Sequence, residues 1–96
     1  MTEEREKPQA IDLTALEIDQ LIELFISILS AKAWQHIGVR LTPGKSEVEK
    51  DLGKASIAID CVVFLTNKIA PILSPEKSNR LRAMVTDLQI NYVKNA

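Results

Sequence analysis

Residues 14–38 read TALEIDQLIELFISILSAKAWQHIG, and the pattern of this stretch decides the fold. Leu16, Ile18, Leu21, Ile22, Leu24, Phe25, Ile26, Ile28, Leu29, Ala31, Ala33, Trp34 and Ile37 are apolar, whereas the polar positions from Gln20 to Ser30 are only Gln20, Glu23, Ser27 and Ser30. Those four recur at i, i+3, i+7 and i+10, a thin polar stripe on a helix of period 3.6. A surface helix of a small monomer turns roughly a third to a half of its circumference to water. This one is therefore expected to lie between its own subunit and a second chain. Thr14 and Glu17 have capping-box spacing and set the expected start, and Gly38 after His36-Ile37 supplies the left-handed residue that ends it. Thr42-Pro43-Gly44 then makes a turn.

Working outward, Ser46 and Glu49 form a second capping-box pair. From there Val48, Leu52, Ala55, Ile59, Val62, Thr66 and Ile69 recur at alternating spacings of four and three, flanked by Ala58, Cys61 and Leu65. The stripe predicts a second helix over residues 47–70, stopped by Pro71. Ser74-Pro75-Glu76 places a cap, a first-turn proline and a first-turn carboxylate in the order that starts a third helix, over residues 75–94. Its apolar side carries Leu81, Met84, Val85, Leu88 and Tyr92. Helices of about 30 to 36 Å, at 1.5 Å per residue, can lie side by side over nearly their full length. The expected architecture is all-α: an elongated up-down-up three-helix bundle over residues 14–96, assembled as a homodimer, behind a flexible charged tail at residues 1–13.

Ninety-six residues make one domain near the lower end of what holds a core without staples. Twelve basic and 13 acidic residues leave a net charge of −1, so no bulk field selects nucleic acid or an anionic membrane. The single Cys61 cannot form an intrachain disulfide, and the charged start Thr2-Glu3-Glu4-Arg5-Glu6-Lys7 lacks the pattern of a signal peptide. The expected setting is the cytoplasm. Glu17, Asp19, Glu23 and Lys32 interrupt the stretch read as the most apolar, short of the roughly 20 residues a bilayer span needs, so no membrane partner is expected.

A resemblance rests on Ala33-Trp34-Gln35-His36-Ile37-Gly38, Asp51-Leu52 with Ala55, Ile59-Asp60 with Leu65 and Lys68, Leu73 with Glu76, and Asp87-Leu88 with Tyr92-Val93. In order and spacing these positions, within Leu21 to Lys94, resemble a small prokaryotic family catalogued as a domain of unknown function, number eighteen forty-four. The chain departs from that family's pattern at Ile37, in the turn from Val39 to Lys45 and near Ile69-Ala70. The resemblance implies no biochemical activity and no catalytic residues.

Each candidate for chemistry has a plainer use. His36 is the only imidazole and could shuttle protons, but at a helix end it more simply bonds helix-end carbonyls. Cys61 is expected to be packed and inert. Asp60 either pairs with Lys32, Arg80, Arg82 or His36 across the bundle or is solvated. One His and one Cys do not make a zinc site, and no cofactor is expected. Lys50, Lys54, Arg80 and Arg82 could form a modest basic surface for nucleic acid, although acidic residues are interleaved with them. Val63 and Phe64 widen the apolar sector of the second helix beyond what one core needs.

The function these features predict is non-catalytic: a small interaction or adaptor protein that self-associates through Leu21, Phe25, Ile28, Leu29, Trp34, Val63 and Phe64. The alternative is a nucleic-acid or ribosome-associated accessory factor. An enzyme would need His36 and Asp60 to converge in a pocket.

Overall fold

A computed structural model describes residues 12–96, and the expected tail therefore lies outside the described residues except for Asp12 and Leu13. These two belong to ordered structure, because the Asp12 carboxylate accepts from the Thr14 amide and caps a short 3-10 turn at Leu13–Ala15. Three helices follow, α1 at Ile18–Ile37, α2 at Leu52–Ile69 and α3 at Pro75–Asn95, with a 3-10 turn at Ala70–Ile72 leading from α2 towards α3. Among the described residues there is no strand. The all-α, three-helix reading holds.

Both of the first two expected helix starts move inward. The Thr14 hydroxyl donates to Asp12 Oδ1 and so is not free to cap a helix. Glu17 takes the cap position, and its backbone amide donates to Gln20 Oε1 at 3.0 Å. Helix α2 begins at Leu52, five residues later than the Ser46–Glu49 box predicts, because Glu49 is used elsewhere. Its carboxylate pairs with Lys45 at 3.5 Å and lies 3.2 Å from the Thr42 hydroxyl, while its carbonyl accepts from His36 Nδ1. Asp51 caps α2 instead, accepting from the Lys54 amide at 3.1 Å. Val48, placed by the heptad on α2, lies in the irregular connection and is half exposed. The third start forms as expected, with Ser74 Oγ accepting from the Lys77 amide at 3.2 Å.

Gly38 ends α1 in the left-handed region at φ 95°, which L side chains avoid, and a Cβ there would meet Lys50 Cβ at 3.2 Å. The chain then turns through Pro43-Gly44, with Gly44 at φ 85° and the Lys45 amide donating to the Thr42 carbonyl, the geometry of a type II turn. The Asp51 amide donates to the His36 carbonyl at 2.8 Å, which ties the end of this connection to the end of α1.

The core runs along one stripe of each helix: Ile26, Ala33 and Ile37 from α1, Ala55, Ala58, Ile59, Val62 and Ile69 from α2, and Val85 and Leu88 from α3. Alanine at 33, 55 and 58 lets α1 and α2 approach closely, and this pair is the most extensively packed. Helix α3 rests mainly on α2, and a Lys77–Glu23 pair at 3.9 Å links it to α1. The molecule measures only 19 Å in its thinnest direction, about two helix diameters, so the helix flanks beside the core stay open.

The apolar segment long enough to matter for a bilayer is in α2, not α1. Leu52–Ile72 is 21 residues long and contains an 18-residue window of mean hydropathy 1.5, long and apolar enough by length and composition to cross a membrane, so the most apolar stretch is not the one read in α1. It carries Lys54, Asp60 and Lys68, and its buried stripe is the centre of the core.

Candidate interaction surface

Helical spacing places Ile18, Leu21, Phe25 and Ile28 along one flank of α1, next to Leu29. On α2 the same arithmetic puts Ile57, Cys61 and Phe64 on the flank next to Leu65. The two flanks lie on one side of the molecule, because Leu29 of α1 shares a recess of about 330 Å³ with Asp60, Cys61, Phe64 and Leu65 of α2. Ile18 is 65% exposed, Phe25 40%, Ile28 51%, Ile57 65% and Phe64 59%. Together these five side chains expose roughly 500 Å², near the upper end of the largest apolar patch on a typical monomer. With Cys61 exposed and Leu21, Leu29 and Leu65 half-buried, the face offers roughly 600 to 800 Å², the lower part of the range per partner of stable interfaces.

The structure regroups the seven residues expected at an interface. Leu21, Phe25, Ile28, Leu29 and Phe64 share this face. Trp34 falls on the opposite flank of α1, half-buried against the core, and Val63 lines the groove between α2 and α3 with Thr66 and Val85. Ile57 and Cys61 join the face although sequence reasoning left them out of it. Their signal was present: 57, 61 and 64 repeat the four-three spacing of a helix face, offset from the core stripe. Cys61 is exposed, not packed, because it lies off the core stripe on the flank that borders the recess beside Leu29.

The rim of the face carries three lysines and one carboxylate. Lys32, Lys54 and Lys68 border it, and Lys68 Nζ stands 5.4 Å from the centre of the Phe64 ring in a cation–π contact. Asp60 is exposed at the edge of the recess and takes part in neither of the ion pairs found among the described residues.

His36 stands elsewhere. Its Nδ1 donates to the Glu49 carbonyl at 3.2 Å, and its own carbonyl accepts from Asp51, so it clamps the α1–α2 connection from both ends. The expected bond to helix-end carbonyls is thus replaced by one to the connection. His36 lines none of the four recesses found along α2 and α3. Among the described residues no three His, Cys, Asp or Glu side chains gather as metal ligands. The four basic candidates split into two places. Lys50 and Lys54 flank the start of α2, whereas Arg82 donates to Asn67 near its other end at 3.1 Å, with Arg80 one turn from the start of α3. Thirteen residues of helix between 54 and 67 correspond to about 20 Å at 1.5 Å per residue, so no single patch forms.

Among the described residues two carboxylates titrate below their ordinary values, both outside the apolar face. Glu49 is held down first by the charge of Lys45 and then by the Thr42 hydroxyl. Asp12 is held down by its bonds to the Thr14 hydroxyl and amide. Both are local turn and cap contacts.

An all-α chain with three helices in series, a capped connection and an uncovered apolar face defines a small helical module, without a cluster of reactive groups among its described residues. Its family follows from residues 19–94, which match the family described as Domain of unknown function (DUF1844), and the chain belongs to it. No curated protein and no solved structure matches the chain.

Proposed function

We propose that this protein is a small, non-catalytic cytoplasmic interaction module that works as a homodimer, two copies pairing through the outer face of the α1–α2 hairpin. The observation that carries the reading is the second apolar face itself: Phe25, Ile28, Ile57 and Phe64 remain open to solvent after the core is complete. Covering such a face removes apolar surface from water at about 25 cal/mol per Å² before association costs are met. An isologous pair covers both copies with one contact, the commonest solution among soluble oligomers. The paired hairpins would then act as a scaffold, leaving α3 and the chain's N-terminal segment for another partner.

Light scattering across a dilution series, at low and high salt, tests this directly. The expected result is a mass of twice the 10.7 kDa chain at both salts, since an apolar interface is little affected by screening. A monomer at every concentration would overturn the reading. Capture of the chain by lipid vesicles in place of pairing would assign the face, and the apolar segment Leu52–Ile72, to a bilayer surface instead.

A further inference from the structure

We infer that the two copies lock together through one aromatic ring, with Phe64 of each copy seated in the recess that Leu29, Cys61 and Leu65 form on the other. This rests on the pairing proposed above and specifies where its two-fold axis runs. An isologous interface must be self-complementary, so a protruding side chain and the hollow that receives it have to occur on the same patch. The α1–α2 face has both. Phe64 is 59% exposed at the edge of a recess of about 330 Å³, and the floor and walls of that recess are almost wholly apolar. Cys61 makes the hollow: it is the smallest side chain on the outer stripe of α2, one turn before Phe64, between the larger Ile57 and Phe64.

A two-fold axis perpendicular to α2 and passing midway between Cys61 and Phe64 carries each ring over the partner's Cys61. The two Phe64 rings then lie side by side in an offset arrangement, which aromatic pairs favour. Lys54 and Lys68 stay at the ends of the stripe, where they remain hydrated. Aromatic anchors filling desolvated pockets at the centre of a patch carry most of the binding energy in protein interfaces. The offered area falls within the lower part of the range of stable interfaces. A second copy is the occupant that supplies a matching ring and a matching hollow at once.

The seating is tested with two variants of the full chain, Phe64→Ala, which removes the ring, and Cys61→Trp, which fills the hollow. Both positions are exposed, so circular dichroism should keep the wild-type helix content, while the melting temperature should fall only by what the lost pairing contributed. Each variant alone loses both seatings, and its dimer dissociation constant should rise roughly a thousandfold for two symmetric anchors. Mixed in equal amounts, they form a heterodimer with one seating intact, from the ring of the Cys61→Trp chain into the open recess of the Phe64→Ala chain. Sedimentation velocity of the mixture should then show association roughly thirtyfold tighter than either variant alone. A dimeric wild type whose variants associate normally, or whose mixture gains nothing, would overturn the seating and leave the pairing standing. A monomeric wild type would remove the pairing as well.

Discussion

Helix α3 and the α1–α2 hairpin spend their apolar residues differently. Helix α3 fully or nearly buries Val85 and Leu88, half-buries Leu81, Met84 and Tyr92, and turns a mostly polar remainder to water, with Ile90 and Val93 the large apolar side chains left open on it. That is an amphipathic helix with a small apolar patch near its end. The hairpin buries Ile26, Ala33, Ile37, Ala55, Ile59, Val62 and Ile69 and still leaves Phe25, Ile28, Ile57 and Phe64 open. Both regions obey the same helical periodicity. They differ in how much apolar surface stays open: Ile90 and Val93 on α3, against Ile18, Phe25, Ile28, Ile57 and Phe64 along the hairpin. Residues that build the core and residues left open to solvent thus sit side by side on the same helices.

The sharpest way to break that comparison is at two adjacent positions. Ile26 is fully buried, so Ile26→Asp places a carboxylate in the core with no partner, a loss expected to exceed about 5 kcal/mol and to abolish the far-ultraviolet helix signal. Phe25→Asp, one residue away, should leave that signal intact, because Phe25 is 40% exposed. At position 26 the charge acts on folding, at position 25 on the open face. The exposure of Phe25 separates the two effects.

Next in size is Leu88→Ala, which removes the one fully buried leucine of α3. It should cost about 2 to 5 kcal/mol in chemical denaturation. Hydrogen exchange should then be fastest in α3, while the α1–α2 hairpin keeps the greater protection. Uniform loss of protection in all three helices would show that the hairpin has no greater stability of its own.

The closure of the hairpin offers smaller, sharper tests. Gly38→Ala forces an L side chain to φ 95° against Lys50, and about 1 to 2 kcal/mol should be lost in thermal unfolding. Asp51→Ala should cost about 1 kcal/mol, as the loss of a helix cap does, while Ser46→Ala should change almost nothing. Equal effects at both positions would restore the helix start read from the sequence.

The smallest effect is in pH. Glu49 titrates below its ordinary value because of Lys45 and Thr42, so its contribution is present above the usual carboxylate range and is lost as pH falls through its lowered pKa. Melting curves of wild type and Glu49→Gln should therefore differ slightly at neutral pH and converge in acid. The difference should shrink with added salt, since the pair is at the surface.

The helices and their number were legible because burial imposes a period of 3.6 on α1, α2 and α3 alike. The Pro71 stop, the Gly38 cap and the Ser74-Pro75 start were legible because each depends on the backbone chemistry of one or two residues. The starts of α1 and α2 were not, since two capping signals competed within a few residues of each other in both places. Asp12 occupied Thr14, and the Thr42, Lys45 and His36 contacts occupied Glu49; such choices depend on tertiary neighbours. The excess of apolar surface was visible in the thin polar stripe of α1. Which residues form one face was only partly so, because Val63 and Phe64 are adjacent in sequence but point to opposite flanks of α2, and only the packing shows which flank meets α3.

The central claim is that the open flank of the α1–α2 hairpin joins two copies. The most direct test is the solution mass of wild type and Phe25→Asp by light scattering, with circular dichroism on the same samples. The account predicts twice the 10.7 kDa chain mass for wild type and a single chain mass for the variant, with equal helix content. A wild type that remains at one chain mass at every concentration, or a fully dimeric Phe25→Asp, would contradict it.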